Sequence, residues 1–215
     1  MFGLALHTST PELGISISDF DAVDRHQTWN LGRDLSSQLH GLLQDFLVPQ
    51  HWQDLGFIAV CIGPGGFTGT RIGVATARTL AQQLDVPLFG ISALAAVAYQ
   101  TATARLSKVA KVDADRCDIA VTMPAKRGAV YGGMYRWAGE TLVSTFEDTV
   151  LAARDWELKQ DQWPEPVVQV RLEAGMGLAK TTPALLKLGH SQAQTGRGAP
   201  WRDVTPFYGQ HPVNV

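Results

Sequence analysis

Gly63-Pro64-Gly65-Gly66-Phe67-Thr68-Gly69-Thr70-Arg71-Ile72-Gly73 follows the apolar run Phe57-Ile58-Ala59-Val60-Cys61-Ile62 and opens a segment of helical periodicity. That succession reads as a strand over 57–62, a tight turn and a helix over 67–84. At such a helix start the free backbone N–H groups face an anion or a partner. A purely structural glycine turn has the same composition, so local chemistry leaves both readings open. Two familiar phosphate loops are excluded. No Lys-Ser or Lys-Thr follows the last glycine, and the glycine spacing is not that of the dinucleotide fingerprint.

Upstream of the turn, residues 2–8 and 13–18 read as strands joined by the turn Ser9-Thr10-Pro11-Glu12, with a third antiparallel strand over 25–31. Leu35, Leu39, Leu42, Leu43 and Phe46 form one helical stripe, with Asp34 as the expected N-cap and Pro49 as the stop. Downstream, Pro87 opens another strand, and the polar, Ala-rich stretch 101–115 reads as a link. Strands are then expected near 118–123, 129–137, 141–147 and 167–172, and helices near 151–158 and 176–188. Pro183 is expected to break or kink the last helix, and the chain from His190 onward reads as loop until 203–208.

With 215 residues, 45% of them apolar, the chain can bury a full core as one large domain or two small lobes. Its 18 basic residues against 20 acidic ones leave no footprint of a free-standing tRNA binder. Cys61 and Cys117 read as reduced thiols, without a disulfide framework or a CxxC zinc pattern. No basic leader opens the sequence, and no apolar stretch approaches the roughly 20 residues that span a bilayer. The expectation is a cytoplasmic protein with no membrane contact.

The glycine string resembles the Gly-Pro-Gly-Ser-Phe-Thr-Gly-x-Arg-Ile-Gly signature of the TsaB (YeaZ) family. Its members are non-catalytic partners in bacterial synthesis of threonylcarbamoyladenosine beside the tRNA anticodon. Leu4-Ala5-Leu6-His7-Thr8-Ser9-Thr10 is similar to the family's opening Leu-Ala-Ile-Asp-Thr-Ser-Thr, and Val86-Pro87-Leu88-Phe89-Gly90-Ile91-Ser92-Ala93-Leu94 to the close of its first lobe. Ala125-Lys126-Arg127-Gly128-Ala129-Val130-Tyr131 extends the match into the second half. The order of three antiparallel strands followed by alternating helices and strands suits several α/β sheets. The resemblance selects a two-lobed, actin-like α/β fold of the sugar-kinase, chaperone and actin superfamily with ribonuclease H-like lobes. It implies an N-terminal lobe over 1–97 and a smaller, degenerate one over 98–215.

In that superfamily a carboxylate on the first strand handles the magnesium of bound nucleotide. Here His7 holds that place, and an imidazole is a poor substitute for an oxygen ligand to a hard cation. The favoured reading is a core or crevice histidine with one ring nitrogen hydrogen-bonded, with Thr8, Ser9 and Thr10 as turn formers. The histidines at 7, 26, 40, 51, 190 and 211 contain no pair four apart, the mark of the metal-binding transferase of the same pathway, and Arg33-Asp34-Leu35-Ser36 lacks the histidine that relatives keep there. Lys126 and Arg127 read as an exposed turn. The resemblance therefore implies no catalytic, cofactor-binding or metal residue in this chain, with ATP and metal held by partner subunits.

Gly69, Gly73, Ala77 and Ala81 recur every four residues along the second helix and make one face nearly flat, suited to close approach of a neighbour. Pattern alone allows that neighbour to be the protein's own sheet. The resemblance implies a partner surface on the helices at 35–47 and 67–84, comprising Gly69, Gly73, Ala77, Ala81, Arg71, Val74 and Arg78 with His40 and Gln44. Gly63, Pro64, Gly65, Gly66, Phe67 and Thr68 form the signature turn. The partners implied are a TsaD-like transferase in a heterodimer, a TsaE-like ATPase recruited to that pair, a homodimer when the chain is alone, and tRNA only through the complex. The rival reading is an active or degenerate nucleotide-dependent small-molecule kinase or ATPase of the same superfamily.

Overall fold

The computed structural model describes residues 1–106, 117–138, 141–173, 177–196 and 200–209. In chain order the elements are β1 (Phe2–His7), β2 (Glu12–Ser18), β3 (Asp24–Asn30), α1 (Leu35–Leu47), β4 (Leu55–Cys61), α2 (Phe67–Leu84), β5 (Leu88–Ile91) and α3 (Ala93–Leu106). They continue as β6 (Asp118–Pro124), β7 (Ala129–Ala138), β8 (Thr141–Ala152), α4 (Ala153–Asp161), β9 (Val167–Arg171) and α5 (Thr182–Gln194). Two compact units result. One comprises Met1–Ala93 with Gly175–Phe207, the other Leu94–Ala174 with Tyr208–Val215.

The first unit is a five-stranded sheet of order β3-β2-β1-β4-β5. β2 is antiparallel to both β1 and β3, while β4 runs parallel to β1 and β5. Alternation along the strands gives its two faces different characters. Leu4 and Leu6 lie opposite Ile17 and Ile15 on one side and Ile58 and Val60 on the other, an aliphatic surface in one buried cluster with Leu35, Leu39 and Leu43 of α1 and Val74, Ala77 and Ala81 of α2. The other face is small or polar: Gly3, Ala5 and His7 pair with Ser18, Ser16 and Gly14, and Ala5 also with Ala59. Small side chains let α5 lie close. A Cβ on Gly189 would fall 2.8 Å from Ala59 Cβ, and one on Gly14 would collide with Thr182 and the Ala179 carbonyl. The Gly177 N–H donates to Glu12 Oε2 at 2.8 Å, tying the start of this segment to β2.

The second unit repeats the strand logic with order β8-β7-β6-β9, antiparallel through β6, β7 and β8 and parallel between β6 and β9. Trp156 of α4 is almost wholly buried over Ala120 and Met134, and its indole N–H donates to Thr122 Oγ1 at 2.6 Å. Gly132 beneath the indole has no room for a side chain, since a Cβ would come within 2.8 Å of the ring. Asp118 is fully buried and fully engaged. Arg136 grips both its oxygens, at 2.7 and 3.0 Å, and Thr145 and the Trp163 indole N–H donate to Oδ2.

Several expectations are corrected. Asp34 makes no side-chain cap, because Gly32–Asp34 already form a 3-10 turn leading into α1, and Ser37 donates to its carbonyl instead. At the other end of α1, Arg25 of β3 donates to the carbonyls of Val48 and Leu47 and lies over the Phe46 ring. Residues 101–106, expected in a link, continue α3, and 107–115 lie outside the described residues. β8 runs to Ala152, beyond the expected 147. Pro183 starts α5 and does not break it, since the first turn of a helix has no use for that N–H. The helix then carries on past His190 to Gln194, and Trp201–Asp203 adds a 3-10 turn to the expected loop.

The largest difference concerns the lobes. The expected boundary at 97/98 falls inside α3, and α5 belongs to the first unit, where its apolar side covers β1, β2 and β4. Leu186, 1% exposed and packed where Gly3 and Phe57 meet, is central to that cover. Leu186→Ala is expected to cost about 2–5 kcal/mol through lost transfer energy and the cavity left behind. A fall in urea midpoint with an unchanged slope will read it.

Candidate functional site

The glycine turn lies against the turn between β1 and β2. The Gly66 N–H donates to the Ser9 carbonyl at 2.6 Å, and a Cβ on Gly65 would collide with that oxygen. One turn further along α2, Thr8 Oγ1 donates to the Gly69 carbonyl at 2.9 Å, and a Cβ on Gly69 would strike the Thr8 carbonyl. Gly73 faces the Thr8 side chain, with a Cβ 2.0 Å from its Oγ1 and 3.1 Å from its Cβ. Gly63 has φ 97° and is held on both sides: its carbonyl accepts from Ala93 N–H at 2.7 Å, and the neighbouring Ile62 carbonyl accepts from Phe207 N–H at 2.7 Å. Between the two open readings of the sequence, these glycines serve close approach of chain to chain.

The flat face of α2 is therefore spoken for. Gly73, Val74, Ala77 and Ala81 are buried in the first unit's own core and Gly69 is half-buried on Thr8, so the expectation that this face meets a partner is corrected. Thr8 and the aliphatic face of the sheet supply the neighbour that the small residues require. The rest of the expected surface lies elsewhere on the two helices. His40 and Gln44 are exposed on α1, Arg71 is exposed on α2, and Arg78 is half-buried. In the signature turn Gly63 and Pro64 are buried, whereas Gly65, Gly66, Phe67 and Thr68 are exposed.

The outward side of α2 carries a pattern that the sequence reading only half caught. The Arg71 guanidinium sits 5.0 Å from the Phe67 ring centre. Arg78 lies 5.7 Å from the ring of Trp201, and Arg202 covers the same indole at 4.9 Å. Phe67 and Arg71 are one turn apart and their pairing is readable from spacing. Trp201 and Arg202 reach α2 only through tertiary packing, which no local pattern announces.

His7 ends β1 with no accessible surface, and the expected hydrogen bond to one ring nitrogen is corrected, since neither nitrogen makes one. Burial drives its pKa from 6.5 down to about 4, so the ring is neutral at physiological pH. Among the described residues no three His, Cys, Asp or Glu side chains come together in a way that could hold a metal ion. Ser9 Oγ donates to Cys61 Sγ at 3.2 Å, and no disulfide joins Cys61 to Cys117. Lys126 and Arg127 lie in an exposed 3-10 turn. No helix of the described residues is long and apolar enough to cross a membrane.

Residues 33–185, more than half of the chain, match the family described as TsaD, tRNA N6-adenosine threonylcarbamoyltransferase. YeaZ from Pseudomonas aeruginosa shares the fold with a TM-score of 0.73 at 21% identity, covering 96% of this chain and 99% of that one. Sheet order and structural match together define an α/β protein of actin-like fold. The tRNA threonylcarbamoyladenosine biosynthesis protein TsaB of Bacillus subtilis is 34% identical over 160 residues, 71% of this chain and 63% of that protein. TsaB of Escherichia coli is 26% identical over 163 residues, 72% of this chain and 66% of that one. The chain belongs to the TsaB (YeaZ) family. The match spans about two thirds of the length of these two relatives.

Two outcomes test the packing. Gly73→Leu is expected to lose about 3 kcal/mol of stability by forcing Thr8 aside, whereas Arg71→Ala on the outward face stays within about 0.5 kcal/mol. Thermal melts by circular dichroism compare the two. As pH falls below about 6.5 the unfolded chain takes up a proton that folded His7 refuses until about pH 4. Stability therefore drops by about 3 kcal/mol across that window and levels off beneath it. His190, also lowered by burial, adds in the same direction. Urea titrations from pH 7.5 to 3.5 should show a shallower loss for His7→Met.

Proposed function

We propose that this chain is a non-catalytic subunit in the biosynthesis of threonylcarbamoyladenosine beside the tRNA anticodon. Its role is to bind and organise a TsaD-like transferase in a heterodimer, to which a TsaE-like ATPase is then recruited. ATP and metal belong to the partner subunits, tRNA is met through the assembled complex, and the setting is the cytoplasm. Membership of the TsaB family supports the process, and His7 supports the division of labour. The residue standing where the superfamily handles magnesium is sealed from solvent and held neutral, so it offers neither charge nor oxygen to a nucleotide-bound cation.

The surface offered to the transferase is the solvent side of α1 and α2, with His40, Gln44 and Arg71, the 45% exposed Phe67, and Val48, 65% exposed just past α1. The same side joins two copies when no transferase is present. Reconstitution with the transferase and ATPase of the same organism, tRNA, ATP and labelled threonylcarbamoyl donor tests the reading. Omitting this chain is expected to cut label transfer at least tenfold, while the chain alone releases phosphate only at background. ATP turnover by the isolated chain that disappears on substitution of its own residues would overturn it.

A further inference from the structure

We propose that Arg71, Arg78 and Arg202 form an aromatic-backed cationic rack that docks a carboxylate-bearing segment of the transferase partner, an inference that rests on the reading above. Arg71 and Arg78 are seven residues apart on α2, which puts them on one side of the helix about 10 Å apart along its axis. The 3-10 turn Trp201–Asp203 packs against α2 and brings Arg202 to the same side, with the Trp201 ring shared between Arg78 and Arg202. Phe67 backs Arg71 in the same manner.

Among the described residues none of the three guanidinium groups has a carboxylate within ion-pair distance, although the chain holds more acidic than basic residues. Asp203, next to Arg202, makes no ion pair with it. The contrast with Arg136 is direct, since that arginine is gripped by Asp118. A guanidinium lying over a ring is held in place through its face and keeps its N–H edge free, and that edge matches a carboxylate with two parallel hydrogen bonds. Three such edges, fixed in advance, make a site in which little side-chain entropy remains to be lost on binding.

A protein suits this rack better than a nucleic acid. Phe67 and Trp201 already pack against guanidinium groups, which compete with bases for the rings, and three cations on a chain of net charge −2 provide little counterion release along a phosphate backbone. Arginine and aromatic side chains interleaved with the exposed Ala75 match instead the composition of the energetic centre of protein interfaces. The partner segment should carry at least two carboxylates spaced to meet Arg71 and Arg78, such as one pair seven residues apart on a helix.

The test is the affinity of the full chain for the purified transferase of the same organism, measured by calorimetry at 50 and 300 mM NaCl. Wild type and Arg71→Gln/Arg78→Gln/Arg202→Gln are compared, with thermal melts to show that the triple variant keeps its fold. The expected result is at least tenfold weaker binding by the variant and a flattened salt dependence. Arg71→Lys/Arg78→Lys/Arg202→Lys, which keeps the charge but loses the fork, should recover only part of the loss. A folded glutamine variant with unchanged affinity and salt slope overturns the rack while leaving the proposed function standing. Absence of transferase binding by wild type overturns both. Loss of tRNA binding by the glutamine variant, with transferase binding intact, identifies an RNA site and also overturns the proposal.

Discussion

The first unit depends on the absence of side chains at Gly65, Gly69 and Gly73, which lets the Thr8–Ser9 turn lie directly against the start of α2. Two contacts fix that approach, Gly66 N–H to the Ser9 carbonyl and Thr8 Oγ1 to the Gly69 carbonyl. They set both the height of α2 over the sheet and its rotation about its own axis. Once the glycines face inward, Val74, Ala77 and Ala81 follow them into the core, and Arg71 and Ala75 are left on the exposed side. The character of the outer surface is thus decided by a steric requirement on the inner one.

Sheet logic was legible wherever one residue's neighbours in sequence determine its burial. Leu35, Leu39, Leu43 and Phe46 announced α1, and the run 57–62 followed by glycines announced β4, the turn and α2. Reading failed where two neighbours would satisfy the same pattern. A stripe of glycine and alanine accepts a partner's helix or the protein's own Thr8, and only the register of β1 against α2 distinguishes them. Pro183 was misread because a proline at the first turn of a helix and one in its middle look alike until the start of the helix is known. The pairing of Trp201 with Arg78 and the return of α5 to the first sheet are long-range events without a local trace.

Each unit buries an ionisable group on its central strand and solves the cost differently. Asp118 stays surrounded by donors from Arg136, Thr145 and Trp163. His7 receives no hydrogen bond and gives up its charge. The first solution fixes the geometry of three side chains around a strand; the second leaves a polar ring in an apolar setting, tolerated because a neutral imidazole is far cheaper to bury than an ion. The reading of His7 as a core histidine rests on that difference.

Because the first sheet is covered on one face by residues that follow every strand of the second unit, folding and synthesis run in different orders. β1 to β5 leave the ribosome long before α5 exists, so the side of the sheet bearing Gly3, Ala5 and His7 waits uncovered while Leu94–Ala174, continuous in sequence, has all its strands to hand. Topologically the second unit is an insertion within the first. A chain released early would carry all the strands of the second unit and an unfinished first one, leaving α1 and α2, though already made, on a sheet still open on its other side.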